Sequence, residues 1–111
     1  VELPIAAFGV IGLETALPLT LELLVNRKVI PLARALALLG SEPARCFHLD
    51  AKGLGSLRPG SPADFVLIDL DAKVAVDRAF IHAKSFNTPF KGWELPGRIL
   101  GTWVDGRRVW G

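Results

Sequence analysis

Methionine is missing from the 111 residues, and only one cysteine and two histidines are present. The single Cys46 has no partner for an internal disulfide, so no disulfide framework holds the chain together. Apolar runs of the roughly 18 residues that span a membrane are also missing. Because the chain opens at Val1 and has no methionine, we expect it to be a piece of a longer protein.

Charge of one sign is not in large excess. Thirteen basic against eleven acidic side chains give a net charge of +2, too small and too dispersed to indicate a nucleic acid or an anionic membrane as partner. Half of the residues are hydrophobic and 22% are charged, which excludes disorder as a description of the whole chain. A compact chain of this length buries roughly two-thirds of its unfolded surface, enough for a core.

The first half of the chain predicts helices. Five apolar residues recur at three- and four-residue steps and so share one helix face: Leu13, Leu17, Leu21, Leu24 and Val25. Pro18 lies within the first two turns of this segment and predicts a local kink or a late start. A second helix is predicted from Pro31 to Gly40, since proline suits a first helical position and glycine ends a helix. A short third helix is predicted over residues 42–47.

The second half of the chain predicts strands. Glycine and proline punctuate residues 53–62, which indicates turns. Four strands are predicted, at residues 65–68, 74–76, 99–104 and 107–110. The first is continuously apolar, as in a strand buried on both faces, and Asp105 with Gly106 predicts a hairpin turn. Helices followed by short strands indicate an α+β fold, with a boundary near residues 49–53.

His48 and His82 are the only histidines, and Cys46 is the only thiol. A metal site usually needs three or four ligands at motif spacing, so a structural role is favoured for both histidines, with His48 at a helix end. Cys46 lies beside Arg45, where a thiol can be activated, but no obvious histidine and acid partner accompanies it. The favoured interpretation of Cys46 is a small core residue.

Two further groups of polar residues allow a chemical interpretation as well as a structural one. Paired carboxylates serve acid–base catalysis, but these flank an apolar strand, where aspartate is a normal turn residue: Asp64, Asp69 and Asp71. Basic and aromatic residues on the predicted hairpin allow a nucleic-acid surface, although a solvated edge is favoured: Trp103, Arg107, Arg108 and Trp110.

Two segments are more distinctive. Phe8 and Gly9 precede the first helix, and a glycine there lets backbone N–H and C=O groups approach a ligand, although a simple helix lead-in is favoured. Residues 87–93 form a loop rich in turn formers that carries two large aromatics, Phe90 and Trp93. These two rings are expected to pin the loop into a core.

Seven segments, in order along nearly the whole chain, resemble the C-terminal part of the dihydroorotases of the amidohydrolase superfamily: residues 7–9, 12–16, 42–45, 53–60, 63–69, 87–93 and 104–107. The G-x-L-x-P-G and A-D-hydrophobic-D stretches are shared across the superfamily, including allantoinases and hydantoinases. The N-T-P-F-x-G-W loop and the F-G…G-L-E-T stretch are more particular to dihydroorotases. Ala7 stands where family members often have proline.

The resemblance implies a metal-dependent (β/α)₈ barrel and a small β-sandwich built from both chain ends. Residues 1–49 would be the last barrel segments, and residues 50–111 the C-terminal strands of the sandwich. The family's metal ligands are a His-x-His pair, a carboxylated lysine, two further histidines and an aspartate. All would lie before Val1, so no metal ligand and no catalytic residue is assigned within this chain. Phe8 and Gly9 match the positions whose backbone contacts the substrate ring.

The implied activity is the zinc-dependent, reversible hydrolysis of dihydroorotate to N-carbamoyl-aspartate in pyrimidine biosynthesis, by a cytoplasmic enzyme. A zinc-bound hydroxide attacks the ring carbonyl, and the upstream aspartate shuttles the proton. Glu14 and Thr15, which open the helix after the substrate segment, are expected to have a positioning role. The implied partners are the small-molecule substrate, the rest of the polypeptide, and a second copy or aspartate transcarbamoylase, with no nucleic acid and no membrane.

Two alternatives stay open. One is a dihydroorotase-like protein without chemistry that serves as a structural partner of aspartate transcarbamoylase, and the other is a related cyclic-amide hydrolase such as an allantoinase. The presence or absence of the metal ligands in the upstream sequence distinguishes an active dihydroorotase from the first alternative. An assay of the intact protein on dihydroorotate and on allantoin distinguishes it from the second. Without the family's metal ligands, the isolated chain is expected to be inactive and to expose apolar surface on its first three helices.

Overall fold

The computed structural model of the protein describes residues 8–111, so Ala7 and the residues before it lie outside the described residues. Three α-helices come first: α1 (Leu13–Thr20), α2 (Leu32–Leu39) and α3 (Ser41–Cys46). A π-helical turn over Leu21–Asn26 continues α1, and a 3₁₀ turn over Asp50–Lys52 follows α3. An antiparallel sheet follows, in the order β1 (Phe65–Ala75), β2 (Glu94–Val104) and β3 (Arg107–Trp110). The predicted order of helices before strands is confirmed.

Pro18 neither delays nor ends the first helix. The helix begins five residues earlier, and Pro18 is buried within it. The irregularity comes after Thr20, where the chain continues as π-helix and the N–H of Leu21 is shared between the carbonyls of Leu17 and Pro18. Proline has no N–H to donate, so the α-helical bond from residue 18 to the carbonyl of Glu14 is missing, one turn before the π-helical segment begins.

β1 is one continuous strand where two were predicted. Its pairing with β2 jumps between Asp69 and Lys73, where a bulge takes up the extra residues and lets the strand continue. The carboxylate Oδ1 of Asp69 accepts the N–H of Asp71 and that of Ala72, both at 3.0 Å. Asp69 therefore makes the turn-like contacts expected of it, but inside one strand rather than between two.

The expectation that residues 65–68 are buried on both faces is wrong. The side chains of Phe65, Val66 and Leu67 are 40%, 48% and 52% exposed. In the described part of the chain the sheet is a single layer of three strands. Among residues 8–111, this apolar run therefore has no second sheet to pack against.

The helices also expose apolar side chains, as expected. Leu13 of α1 is 91% exposed, and Phe47, directly after α3, is 74% exposed. Three leucines of α2 are partly exposed: Leu36, Leu38 and Leu39. The prediction of Cys46 as a core residue is wrong, because the short helix α3 buries only Ala44 and leaves the thiol exposed. Among residues 8–111, no helix combines the length and the apolar character needed to cross a bilayer.

One apolar cluster joins the helical half to the sheet. Val76, Ile81 and Leu95 are its buried members, and half-buried side chains pack around them: Ile11, Leu19, Phe80, Phe86 and Phe90. Phe90 therefore pins the N-T-P-F-x-G-W loop as predicted. The Trp93 ring meets Phe90 edge to face at 5.2 Å but is 44% exposed, so the prediction of a core position is wrong for Trp93.

Gly97→Ala is expected to weaken the contact between β2 and the π-helical turn. Gly97 is buried with a φ of 94°, and an added Cβ would overlap the side chain of buried Leu21. We expect the free energy of unfolding to fall by about 2–4 kcal/mol, from backbone strain and overpacking together.

Gly60→Ala is the matched control for this change. Gly60 has a φ of 90°, but an added Cβ would meet no atom within 4 Å, so only backbone strain remains. Its expected loss is about 1 kcal/mol. Urea-unfolding midpoints of the two variants in the full-length protein are the measurement, and equal shifts would contradict the packing explanation.

Candidate functional site

The connection between β1 and β2 runs over residues 76–93, and residues 77–93 of it form a closed loop. The N–H of Val76 donates to the carbonyl of Trp93 at 2.8 Å, and the N–H of Gly92 donates to the carbonyl of Val76 at 2.9 Å. These two bonds join the ends of the segment. The 77–93 loop therefore projects from the sheet as a unit with a fixed base.

Arg78 holds the interior of the 77–93 loop. Its Nη1 donates to the carbonyl of Ala83 at 3.1 Å and to that of Ser85 at 3.3 Å. The guanidinium carbon also lies 6.0 Å from the centre of the Phe86 ring, which packs on the apolar cluster. A single cation thus satisfies carbonyls that regular secondary structure would otherwise satisfy.

Asn87 joins this loop to the lead-in of α1, residues 8–12. Its side-chain Nδ2 donates to the carbonyl of Gly9 at 2.5 Å, and its backbone carbonyl accepts the N–H of Ile11 at 3.0 Å. The N–H of Asn87 itself donates to Oγ of Ser85 at 3.1 Å. The path of the lead-in is therefore set by a residue 78 positions away from Gly9 in the sequence.

Phe8 and Gly9, the predicted substrate-contacting residues, lie at the surface of this joined unit. Gly9 has a φ of 78°, a left-handed conformation that glycine adopts without a steric penalty. The Phe8 side chain is fully exposed, and the N–H of Gly9 has no acceptor among residues 8–111. The segment therefore presents an apolar ring and an available backbone donor.

Glu14 makes a second link between α1 and the loop. Its Oε1 accepts the N–H of Ala83 at 2.9 Å. Hydrogen bonds lower the pKa of the Glu14 carboxyl: the bond from its own backbone N–H contributes most, burial opposes it, and bonds from Ala83 and His82 add to the lowering. Thr15 is buried, with its hydroxyl donating to the carbonyl of Gly12 at 3.3 Å. The positioning role expected of both residues stays a prediction.

A cavity of about 640 Å³ lies between α1, the sheet and the 77–93 loop. Glu14, His82 and Trp110 are among its lining residues, whereas Gly9 and Asn87 are not. The His82 ring meets Trp110 edge to face, with 6.4 Å between the ring centres. The cavity is thus a feature separate from the exposed lead-in.

The other candidate residues make structural contacts. Oδ1 of Asp64 accepts the N–H of Asp105 at 2.6 Å, so this carboxylate braces the hairpin turn. The guanidinium carbon of Arg108 lies 5.4 Å from the centre of the Trp103 ring. The basic and the aromatic side chain therefore contact each other within the hairpin. His48 is exposed in a left-handed turn after α3, with a φ of 56°.

The described residues do not form a metal-binding site. Residues 8–111 contain no group of three or more His, Cys, Asp and Glu side chains that could hold a metal ion. The ligands of the zinc that the resemblance implies would therefore have to come from elsewhere in a longer protein.

The contact of Asn87 with Gly9 was missed by sequence reasoning. Both segments were distinctive, but the loop was interpreted as purely structural, and no spacing rule joins residues so far apart. The available signal was the resemblance, which marks both segments as more particular to dihydroorotases than the rest of the chain.

Comparisons with known proteins agree with that resemblance. A sequence model described as "Amidohydrolase family" matches residues 7–109. The chain is 41% identical over 105 residues to a protein named dihydroorotase from Geobacillus sp. (strain WCH70). It is 46% identical over 107 residues to one from Syntrophotalea carbinolica (strain DSM 2380 / NBRC 103641 / GraBd1). These alignments cover 95% and 96% of this chain but 24% of each relative, so the chain spans about a quarter of their length.

Glu14→Gln is expected to reduce stability at neutral pH and to have no effect on it in acid. The pKa of Glu14 is lowered below 4.5 in the folded protein, so the carboxylate contributes stability that is present above the unfolded pKa and is lost as the pH falls through the folded pKa. Glutamine keeps the acceptor oxygen but not the charge. Urea-unfolding midpoints of the full-length protein and the variant, followed from neutral pH downwards through the acid range, check this. A difference that persists undiminished in acid would contradict it.

Proposed function

The chain belongs to the amidohydrolase family, and on that premise we propose that it is the C-terminal portion of a dihydroorotase. The proposed reaction is the reversible hydrolysis of the cyclic amide dihydroorotate to N-carbamoyl-aspartate. The observation that carries the proposal is the contact between the two dihydroorotase-like segments. Asn87 of the N-T-P-F-x-G-W loop bonds to Gly9 and to Ile11 in the lead-in of α1.

The proposed role of this chain in the reaction is to bind and orient the substrate. A cyclic amide carries a carbonyl acceptor and an N–H donor at its edge, which main-chain groups complement. The N–H of Gly9, without an acceptor among the described residues, is such a group. Phe8 adds an exposed aromatic ring that can cover an apolar face of the substrate.

The proposed placement assigns residues 1–49 to the last segments of a (β/α)₈ barrel and residues 50–111 to the C-terminal part of a β-sandwich. Exposed apolar side chains in both parts support this placement. Leucines of α2 face solvent, and β1 carries an apolar run on a sheet with no second layer among the described residues. Such surfaces are typical of faces that pack against further structure.

The proposed enzyme depends on zinc that is held outside this chain. Residues 8–111 contain no group of three or more His, Cys, Asp and Glu side chains that could hold a metal ion. The isolated chain is therefore proposed to be catalytically inactive, with substrate positioning as its contribution to the complete enzyme.

The full-length protein is expected to hydrolyse dihydroorotate in preference to allantoin. Removal of zinc with a chelator should abolish the activity, and added zinc should restore it. The purified 111-residue chain should show neither turnover nor stoichiometric zinc. Preference for allantoin would contradict the proposed substrate, and a full-length protein inactive on both would point instead to a structural partner without chemistry.

A further inference from the structure

We propose that Asn87 is a positioning residue, which holds the carbonyl of Gly9 so that the Phe8–Gly9 backbone meets the substrate ring in one orientation. This inference rests on the proposed function. It adds a role for a side chain that lies outside the substrate-contacting segment.

Asn87 holds the lead-in through two hydrogen bonds, one in which it is the donor and one in which it is the acceptor. Its side-chain amide donates to the carbonyl of Gly9, and its main-chain carbonyl accepts the N–H of Ile11. One residue thereby holds both ends of the Gly9–Val10–Ile11 segment. Pairs of bonds of this kind fix the rotation of the peptide planes as well as their distance.

Gly9 needs such an external constraint. Its φ of 78° is one of several conformations that glycine reaches easily, so the residue does not set its own orientation. The neighbouring Phe8 side chain is fully exposed and makes no anchoring contact among the described residues. The side chain of Asn87 orients the Gly9–Val10 peptide, which is joined through the Cα of Gly9 to the Phe8–Gly9 peptide that carries the N–H of Gly9.

Asn87 is itself held in place, as a positioning residue must be. Its N–H is bound by Oγ of Ser85, and the carbonyl of Ser85 is bound by Arg78. Phe86, directly before it in the sequence, packs on the buried cluster, and Phe90 does so three residues beyond it. The orienting group therefore sits on a supported part of the loop.

The test compares Asn87→Asp with the full-length wild-type protein in steady-state hydrolysis of dihydroorotate. Aspartate keeps the size of the side chain and the main-chain bond to Ile11, but its carboxylate faces the carbonyl of Gly9 without a proton to donate. We expect KM to rise about 10- to 100-fold near pH 8, with a smaller change in kcat, since misplacing a substrate-contacting group has effects of this size.

The split between KM and kcat separates positioning from a general loss of structure. The dependence on substrate concentration is therefore measured across the pH range in which the wild-type protein keeps its metal and its activity: a loss of folded protein lowers the apparent kcat and leaves KM unchanged, whereas misplacement of the Gly9 backbone raises KM. Asp64→Ala is the matched control, because it removes a side-chain bond to a backbone N–H elsewhere, at the hairpin turn. Its KM is expected to stay at the wild-type value even where its unfolding midpoint falls.

The outcomes distinguish the two proposals. A wild-type KM in Asn87→Asp, together with an active wild-type protein, would overturn the role of Asn87 and leave the proposed function intact. A wild-type protein inactive on dihydroorotate would overturn both. If Asn87→Asp fails to fold, Asn87→Ser serves as the second variant, since it removes the amide donor without adding charge, and an unchanged KM there would equally overturn the inference.

Discussion

The buried cluster of Val76, Ile81 and Leu95 is the constraint on which the site depends. These side chains lie where the 77–93 loop leaves β1 and returns to β2, and Ile11 of the lead-in packs on the same cluster. Burying one aliphatic side chain of this kind contributes about 1.5–3 kcal/mol, whereas a typical hydrogen bond contributes about 0.5–1.5 kcal/mol net. Hydrophobic packing therefore brings the loop and the helix together, and the bonds of Asn87 then set their orientation.

Local signals in the sequence predicted most of the helices and strands. Gly40 ends α2, and Asp105 with Gly106 forms the hairpin turn, because each of these signals depends on neighbours within a few residues. The predicted break in β1 was wrong for the same reason. An aspartate that accepts nearby N–H groups, as Asp69 does, has the same sequence signature whether it ends a strand or bulges it.

Burial and long-range pairing were not predictable in this way. Whether Cys46 or Leu67 is buried depends on which helix or strand packs against it. The neighbouring residues in the sequence do not determine that packing. The bond from Asn87 to Gly9 spans 78 residues, and the bond between Glu14 and Ala83 spans 69. Hydrophobic periodicity does not reach so far. Residue composition marked each segment separately as distinctive, but it did not indicate that the two segments meet.

The contacts between the motif segments fall into two groups, and the division bears on where substrate choice resides. Stretches shared across the superfamily brace the scaffold: Ala63 and Asp64 accept the N–H groups of Gly106 and Asp105. The stretches that the resemblance marks as more particular to dihydroorotases meet each other instead, through Asn87 and the lead-in. Proteins that share a fold can differ in their sites. Residues that differ with the substrate are therefore expected to contact one another rather than the motifs that support the fold. Under the proposed function, discrimination among cyclic amides then belongs to the joined lead-in and loop, and the hairpin contributes only the support beneath them.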